Sequence, residues 1–341
     1  NTPCICESNL PTHYHCKSCY LHPPSCAQCL VSSHCHLPFH RIEHWNGHYF
    51  EKSSLRALGF VFCLGHGGLP CPNQLDSAFR KIIVVDVNGY HDIDFKFCFC
   101  RDHDLNEAKQ LFSHMFFPAT ITHPETVFTT EVLDNFAVHN STSTKSADSY
   151  CAALQKLSLG EQPHDDAYQT FMQASQIHRH LQIIRCSGQK HNIDNFITHR
   201  RKNCIAINCP ACPEPGWNVD LEVLKKASES EKHKYTLFVN CDGTFNAAQI
   251  DKVDDPHEEA LNAGRGYVVE EHAYQRYLSH VENDPPEKCD CAKLRMLKFD
   301  NLLKFVNLVV TGIVGFQCIQ HVMFKPDGTV DMYAGERYVL H

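Results

Sequence analysis

The sequence has no apolar run long enough to cross a membrane. Its most apolar stretch, LLKFVNLVVTGIVGF at residues 302–316, contains Lys304 and Asn307. It is also shorter than the roughly 20 residues that a spanning helix needs. The β-branched residues of this stretch favour a buried strand instead, so we expect no membrane partner.

The chain also lacks an excess of positive charge. Its 31 Lys and Arg stand against 39 Asp and Glu, a formal net charge of −8, which excludes a protein that coats nucleic acid with its whole surface. Any contact with DNA must come from a local patch. The segment 177–204 carries six Lys or Arg against a single Asp. It could meet a phosphate backbone, or it could be a solvated helix face.

A secretory signal is not evident at the first residues. The stretch NTPCICESNL contains neither a charged n-region nor an apolar h-region. Disulfides depend on an oxidising compartment, so this observation argues against a disulfide framework.

Cysteine and histidine are abundant, at 20 and 25 residues, and composition divides the chain into four regions. Residues 1–45 are Cys/His-rich with little hydrophobic periodicity, so metal or disulfides must take the place of a core. Residues 50–133 have mainly β character, and residues 134–203 are predicted to be helical. Residues 204–341 contain strand candidates on either side of a polar insertion at 251–300. The predicted fold class is α+β with several domains.

Local patterns support this division. The stretch RKIIVVDVNGYHDIDFKFCFC has two apolar runs around Asn88-Gly89, which predicts a hairpin. In the helical region, apolar side chains recur at i, i+4 and i+7. The two sets are Tyr150, Leu154 and Leu157, and Ile177, Leu181 and Ile184.

The first region contains four pairs of potential zinc ligands. Zinc prefers four tetrahedral Cys or His ligands, and two ligands close in sequence can grip one ion from a tight turn. In the cross-brace arrangement of B-box and RING modules, the first and third pairs hold one ion and the second and fourth pairs hold another. A disulfide framework would not need histidines at ligand spacing. The pairs are Cys4 and Cys6, Cys16 and Cys19, Cys26 and Cys29, and His34 and His40. His36 competes with His34, and Cys35 could replace either.

Two further clusters lie downstream. Cys98 and Cys100 are either zinc ligands or two packed side chains on one face of a strand. The other members of their cluster are His66, Cys71 and His91. The second cluster would join Cys209 and Cys212, in a Cys-Pro-x-Cys-Pro turn typical of metal knuckles, to Cys318 and His321. The pair Cys289 and Cys291 could compete as the distant partner.

One carboxylate follows an apolar run. Asp242 comes after KYTLFVN and before Gly243, and Asp-Gly predicts a hairpin turn. The functional alternative is an Asp at the end of a central strand that helps to hold Mg²⁺ for phosphoryl transfer. Such sites need carboxylates from several strands, so Asp242 alone is not a site.

Several stretches together resemble Kyakuja-Dileera-Zisupton (KDZ) transposases. The stretches LPFHRIEHWNGHYFEKSSLRALGFVFCLGHGGLPCPN, VVDVNGYHDIDFKFCFC and MFFPATITHPETVFT are similar to the CxC-type cysteine-cluster region upstream of these transposases. The stretches CPACPEPGWN, FVNCDGTFN, TGIVGFQCIQH and AGERY resemble the start of the transposase domain itself. The resemblance runs in order along nearly the whole chain.

The resemblance implies a function. It makes Asp242 the first carboxylate of a DDE-type core on a ribonuclease H-like fold, where two divalent ions such as Mg²⁺ activate water or a DNA 3′-hydroxyl. It implies structural zinc at the two downstream clusters, transposon-end DNA as partner, and nuclear localisation. Protein partners could bind through the first zinc module, which is B-box-like.

Two departures from the family pattern limit this transfer. The family usually has Asn two residues after the Asp, where this chain has Thr244. The second Asp and the final Glu would lie beyond GERYVLH, so we expect a transposase fragment that is inactive alone and needs Mg²⁺ only with a full core. The alternative is a non-catalytic zinc module for DNA or protein interaction, derived from a transposon. A RING-type ubiquitin ligase fits less well, because the first pair is Cys-x-Cys.

Overall fold

The computed structural model describes Cys4, Cys6 and residues 12–73, 79–100, 106–158, 167–244, 247–250, 260–262, 264–281 and 308–333. The chain divides into two units, Asn1–Arg179 and His180–His341. The four regions predicted from composition are finer than this division and remain a prediction.

The first unit is built on two sheets. Its strands are β1 (Tyr14–Cys16), β2 (Ile42–Trp45), β3 (Phe50–Ser53), β4 (Val61–Cys63), β5 (Arg80–Asp86), β6 (Gly89–Lys96), β7 (Phe116–Pro118) and β8 (Thr126–Thr129). Its helices are α1 (Ala27–Ser33), α2 (Glu107–Ser113), α3 (Thr130–Ser143), α4 (Ala147–Leu157) and α5 (Tyr168–Cys186), which begins in this unit. The small antiparallel sheet has the order β1-β2-β3, and the larger mixed sheet has the order β4-β6-β5-β8-β7.

The hairpin predicted around Asn88-Gly89 is confirmed. Strands β5 and β6 pair antiparallel with Asp86 opposite Gly89, at the centre of the larger sheet. Gly89 has φ +116°, and a Cβ there would lie 2.6 Å from Ser158 Oγ. The turn therefore needs glycine both for its backbone conformation and for the close approach of α4.

Residues 12–45 share a hydrophobic core with the larger sheet. Cys16, Leu30 and Ile42 are buried in one cluster with Ile82 and Phe95. The low hydrophobic periodicity of this region predicted no core of its own. The structure shows that its few apolar residues are buried against β5 and β6 instead.

The helices of the first unit pack around a second core. Phe136, Tyr150 and Phe171, from α3, α4 and α5, lie within 5.1–5.8 Å of one another between ring centroids. The predicted helices are thus confirmed over these ranges, but the buried face of α5 is not the predicted one. Ile177 and Leu181 are exposed, whereas the buried side chains of α5 are Phe171, Ala174, Ser175 and His178.

The second unit contains a three-stranded antiparallel sheet in the order β13-β12-β9. Its strands are β9 (Val239–Thr244), β10 (Gln249–Ile250), β11 (Leu308–Val310), β12 (Gly312–Cys318) and β13 (Phe324–Met332), and its further helices are α6 (Leu221–Lys226) and α7 (Glu271–Val281). The strand character predicted for 302–316 is confirmed over its described residues, 308–316. In the part of the chain that the structure describes, no helix is long and apolar enough to cross a membrane.

Candidate metal centres

Sixteen of the predicted ligands come together in four groups of four. In each group the potential ligand atoms lie within 4.8 Å of one another. Centre 1 is Cys4, Cys6, Cys26 and Cys29; centre 2 is Cys16, Cys19, His34 and His40; centre 3 is His66, Cys71, Cys98 and Cys100; centre 4 is Cys209, Cys212, Cys318 and His321.

Centres 1 and 2 have the cross-brace pairing. The first and third ligand pairs form centre 1, and the second and fourth form centre 2. Helix α1 links the two centres, because Cys26 caps its N-terminus and His34 caps its C-terminus. The backbone N–H of Cys26 donates to Cys4 Sγ at 3.3 Å. The competing side chains Cys35 and His36 are exposed and belong to neither group.

Local hydrogen bonds orient the ligands of centre 2. The turn between Cys16 and Cys19 is held by Lys17 N–H, which donates to the carbonyl of Arg41 at 2.9 Å. His34 is buried, and its Nδ1 donates to the carbonyl of Leu30 at 2.9 Å. This bond leaves Nε2 facing Cys19 Sγ at 3.3 Å, which is how a backbone carbonyl orients a metal-binding imidazole.

The distances between ligand atoms suit a tetrahedral ion. Zinc bonds of about 2.3 Å to sulfur and 2.0–2.1 Å to nitrogen place two sulfurs about 3.8 Å apart, and sulfur and nitrogen about 3.5 Å apart. In centre 1, Cys6 Sγ lies 3.8 Å from Cys26 Sγ. In centre 2, His40 Nδ1 lies 3.5 Å from Cys16 Sγ and 3.2 Å from Cys19 Sγ.

Centre 3 depends on an unusual loop. From Gly65 to Gly68 every residue has positive φ, including His66 at +46°, and three glycines make this run possible. A Cβ on Gly65 would lie 3.1 Å from Cys98 Cβ. His66 Nε2 thereby comes within 3.3 Å of both Cys98 Sγ and Cys100 Sγ.

Cys98 and Cys100 follow β6 rather than lying within it. Strand β6 ends at Lys96, so the alternative of two packed side chains on one strand face does not describe them. Cys71 Sγ lies 3.8 Å from Cys98 Sγ and 3.6 Å from Cys100 Sγ. Gln110 holds the backbone of Cys98 from both sides, since its side chain accepts from Cys98 N–H and donates to Cys98 C=O, each at 2.8 Å.

His91, predicted as a ligand in this cluster, lies outside it. Its Nε2 donates to Asn88 Oδ1 at 2.6 Å, and its ring packs against Phe39. Burial, with a smaller contribution from the charge of Arg41, lowers the pKa of His91 to about 3. The side chain is therefore a neutral buried donor in the hairpin, in place of the predicted zinc ligand.

Centre 4 joins two distant turns of the second unit. Cys209 and Cys212 lie in one turn, while Cys318 ends β12 and His321 follows it. His321 Nδ1 lies 3.4, 3.7 and 3.3 Å from the sulfurs of Cys209, Cys212 and Cys318. The sulfurs of Cys212 and Cys318 are 2.9 Å apart, so that pair must open by about 0.9 Å around zinc. The competing pair Cys289 and Cys291 lies outside the described residues.

A partly buried ion-pair cluster supports the turn of Cys209 and Cys212. Glu214 receives two hydrogen bonds of 2.5 Å from Arg200 and one of 2.9 Å from His199. These partners, Arg200 first, lower the pKa of Glu214 to about 2. Asn218 donates to the carbonyl of Cys212 at 2.8 Å and accepts from Glu214 N–H at 2.7 Å, so the cluster and the turn are one network.

The basic segment 177–204 thus has structural partners. Arg179 lies over the ring of Phe136, Arg200 pairs with Glu214, and Arg201 pairs with Asp327 at 2.8 Å. These three arginines hold protein contacts, which leaves the segment a poorer phosphate-binding surface than its composition predicts.

In centres 2, 3 and 4 the pKa values of individual thiols are shifted in opposite directions. Burial raises the pKa of Cys16 to about 11 and that of Cys212 to about 12. In contrast, a backbone N–H from Phe99 lowers the pKa of Cys71 to about 6, and the Cys212 thiol lowers the pKa of Cys318 to about 6. Zinc takes cysteine as thiolate, so binding at such mixed groups must release protons.

Asp242 lies inside β9, opposite Gly315 of β12. The predicted Asp-Gly hairpin turn is therefore wrong: both residues pair in the sheet, since tertiary pairing overrides the local turn preference. The carboxylate is exposed, and its Oδ1 accepts from Gly243 N–H at 2.9 Å. Among the described residues, Asp242 belongs to none of the groups of three or more potential metal ligands.

Two family models match the chain. Residues 55–161 match the model of the CxC2 like cysteine cluster associated with KDZ transposases, and residues 235–340 match the model of the Kyakuja-Dileera-Zisupton transposase. No curated protein and no solved structure matches the chain. Centre 3 lies in the first matched region, and Asp242 with Cys318 and His321 lies in the second. The two matches confirm the resemblance to KDZ transposases.

Proposed function

We propose that this KDZ transposase chain is a zinc-organised DNA-recognition part of the enzyme, and that its transposase region contributes Asp242 to a catalytic core it does not complete. Four structural zinc ions hold its Cys/His turns in place. The partner is DNA at transposon ends, and the protein acts in the nucleus.

The four ligand groups carry this proposal. Each has four Cys or His ligands, which is the composition of structural zinc sites, whereas catalytic zinc sites have three protein ligands and an open position. Ligands from distant parts of the sequence meet in each group, up to 112 residues apart in centre 4. Zinc would therefore contribute folding free energy and hold loops in place, and it would have no catalytic role.

Support for the role of Asp242 comes from its strand and its neighbours. It lies on β9, one of the two edge strands of the described three-stranded sheet, where a further strand could bring a second carboxylate beside it. A ribonuclease H-like core of the DDE type needs several such carboxylates to hold divalent ions. No other ligand joins Asp242 among the described residues, so we expect no cleavage by this chain.

Two assays on the purified 341-residue chain test the proposal. Zinc-loaded protein should bind duplex DNA in a mobility-shift assay, and removal of zinc by a chelator should abolish that binding. The same protein with Mg²⁺ should leave supercoiled plasmid uncut. Asp242→Asn should behave like the parent chain in both assays.

Either of two results would contradict the proposal. Mg²⁺-dependent nicking that Asp242→Asn removes would show a complete active site in this chain. DNA binding that is absent, or that survives loss of all zinc, would remove the zinc-organised recognition role. The isolation of Asp242 also favours the alternative of a non-catalytic zinc module that binds proteins, which predicts no DNA binding under any metal condition.

A further inference from the structure

The small sheet β1-β2-β3 has one face in the core and the other exposed. Cys16 and Ile42 are opposite each other in the register and are buried in the shared core. Neighbouring residues of a strand face opposite sides of a sheet. The next cross-strand rows, with His15 opposite Glu43 and Glu43 opposite Lys52, therefore lie on the outer face.

One end of this outer face is aromatic. Trp45 is opposite Phe50 in the register, and their ring centroids are 5.1 Å apart. The ring of His15 lies 6.0 Å from that of Phe50. Phe50 is 48% exposed, whereas Trp45 and His15 are half-buried, so this end of the face offers one exposed ring beside two partly accessible ones.

The rest of the outer face is mainly cationic. Lys17 follows β1 and lies 3.6 Å from Glu43, with 63% of its side chain exposed. Lys52 is also exposed. The other acid of these strands, Glu51, belongs to the opposite face, where it pairs with His44 at 3.1 Å. Two lysines thus stand beside the rings against one carboxylate.

We propose that this outer face binds single-stranded DNA, with bases stacked on Trp45 and Phe50 and phosphates near Lys17 and Lys52. Rows on one face of a strand are about 6.7 Å apart, so rings and cations are close enough for one or two nucleotides to use both. Proteins that bind single strands combine a positive surface with aromatic stacking. The inference rests on the proposed function, which supplies DNA as the partner.

Charge complementarity favours this face over the basic segment. The chain carries a net charge of −8, so a polyanion must find a local positive surface. Three arginines of the segment 177–204 already hold protein contacts, as described above. On the outer face Lys52 and the rings of Trp45 and Phe50 lie in neighbouring rows of one sheet, so one nucleotide can reach both a cation and a ring.

Fluorescence anisotropy with a labelled oligothymidine of about 20 nucleotides tests the face on the zinc-loaded full chain. Trp45→Ala and Phe50→Ala should each weaken binding roughly five- to hundredfold, and Trp45→Phe should restore most of the affinity. Lys52→Gln should reduce the slope of log affinity against log salt by about 0.7. The matched control is Tyr20→Ala, because Tyr20 is an equally aromatic side chain of the same module, 97% exposed but outside this face.

Tryptophan fluorescence gives a second readout. The chain has two tryptophans, Trp45 and Trp217, so Trp217→Phe leaves Trp45 as the only reporter. Oligothymidine should quench Trp45 in that variant at the concentrations at which anisotropy rises. Zinc content, measured for every variant, shows that the module is still folded.

Failure of the single-strand site can be distinguished from failure of the proposed function. If the chain binds DNA but Trp45→Ala and Phe50→Ala bind oligothymidine like the parent, this face is not the site, while the proposed function stands. Binding of duplex DNA without binding of the single strand would also exclude this face and leave the proposed function standing. The absence of Trp45 quenching at saturating oligothymidine would do the same. If the parent chain binds neither form of DNA, the proposed function itself fails.

Discussion

Arg200 and Glu214 form a two-pronged ion pair beside centre 4, with Nε and Nη2 of the guanidinium each donating to a different carboxylate oxygen at 2.5 Å. Glu214 lies two residues after Cys212, and Asn218 ties its backbone to the carbonyl of Cys212. The pair therefore supports the turn that carries the candidate ligands Cys209 and Cys212.

Removal of the charge from Glu214 should weaken zinc binding at centre 4. Outer partners of metal ligands are typically worth 10- to 100-fold in metal affinity, so Glu214→Gln should raise the dissociation constant of one of the four ions by roughly that factor. Competition with a chromophoric chelator measures it. Glu231→Gln is the matched control, since the Glu231–Lys234 pair is exposed and should not change zinc affinity. Equal affinity in both variants would contradict the role of Glu214.

One cysteine substitution should remove one ion. Cys16→Ser should lower the zinc content by one ion per chain and lower the melting temperature of the first unit, because Cys16 is both a ligand of centre 2 and part of the shared core. Cys35→Ser should change neither quantity, since Cys35 is exposed and outside the group. Native mass spectrometry counts the ions, and a loss of zinc in Cys35→Ser would mean that the ligand assignment is wrong.

The loop of centre 3 should not tolerate a side chain at Gly65. Gly65→Ala adds a Cβ 3.1 Å from Cys98 Cβ on a backbone with φ +90°. With ψ 178°, Gly65 lies in a region that is essentially glycine-only, and a residue with a Cβ there costs on the order of 1–3 kcal/mol. Gly47→Ala also adds a Cβ on a backbone with positive φ, +101°, but with nothing within 4 Å. In denaturant titrations Gly65→Ala should lose more stability than Gly47→Ala, and an equal loss would show that the contact with Cys98 is unimportant.

His91 should make the first unit sensitive to mild acid. Its pKa is lowered from 6.5 to about 3 in the folded chain, so between these values the unfolded chain binds a proton that the folded chain does not. Its contribution to the free energy of unfolding is complete above about pH 6.5 and is lost as the pH falls toward 3, with a slope of at most about 1.4 kcal/mol per pH unit.

The matched comparison is His91→Gln. The stability advantage of the parent over this variant should shrink between pH 7.5 and pH 5, because glutamine keeps a donor for Asn88 but does not titrate. Measuring the difference cancels the acid sensitivity of the zinc ligands, which both chains share. A difference that is constant across this range would contradict the buried neutral His91.

The spacing of Cys and His along the sequence predicted most ligands of the four centres. It did not predict the side chains that hold those ligands in place. Pairs such as Cys16 and Cys19 are visible because both ligands come from one turn, and the hairpin at Asn88-Gly89 is visible because its turn chemistry is local. The prediction for His91 failed because a histidine near cysteines in sequence can lie at the other end of a strand: His91 is at the start of β6, and Cys98 and Cys100 follow its end. Gln110 and Glu214 were missed because nothing local in the sequence distinguishes an outer partner from a solvated side chain.

Two fold predictions failed for related reasons. Asp242-Gly243 has the composition of a turn, yet pairing with β12 keeps both residues in a strand. The stripe of Ile177 and Leu181 has helical spacing, but aromatic packing against Phe136 and Tyr150 selects the face of α5 that carries Phe171. In both cases long-range packing outweighs the local pattern.

Zinc stoichiometry of the full chain tests the central claim most directly. Native mass spectrometry of reduced, zinc-equilibrated protein should show four ions per chain, matching the four groups, and a chelator should remove them with loss of the folded near-ultraviolet circular dichroism signal. A chain that is folded and soluble while holding no zinc would contradict the account.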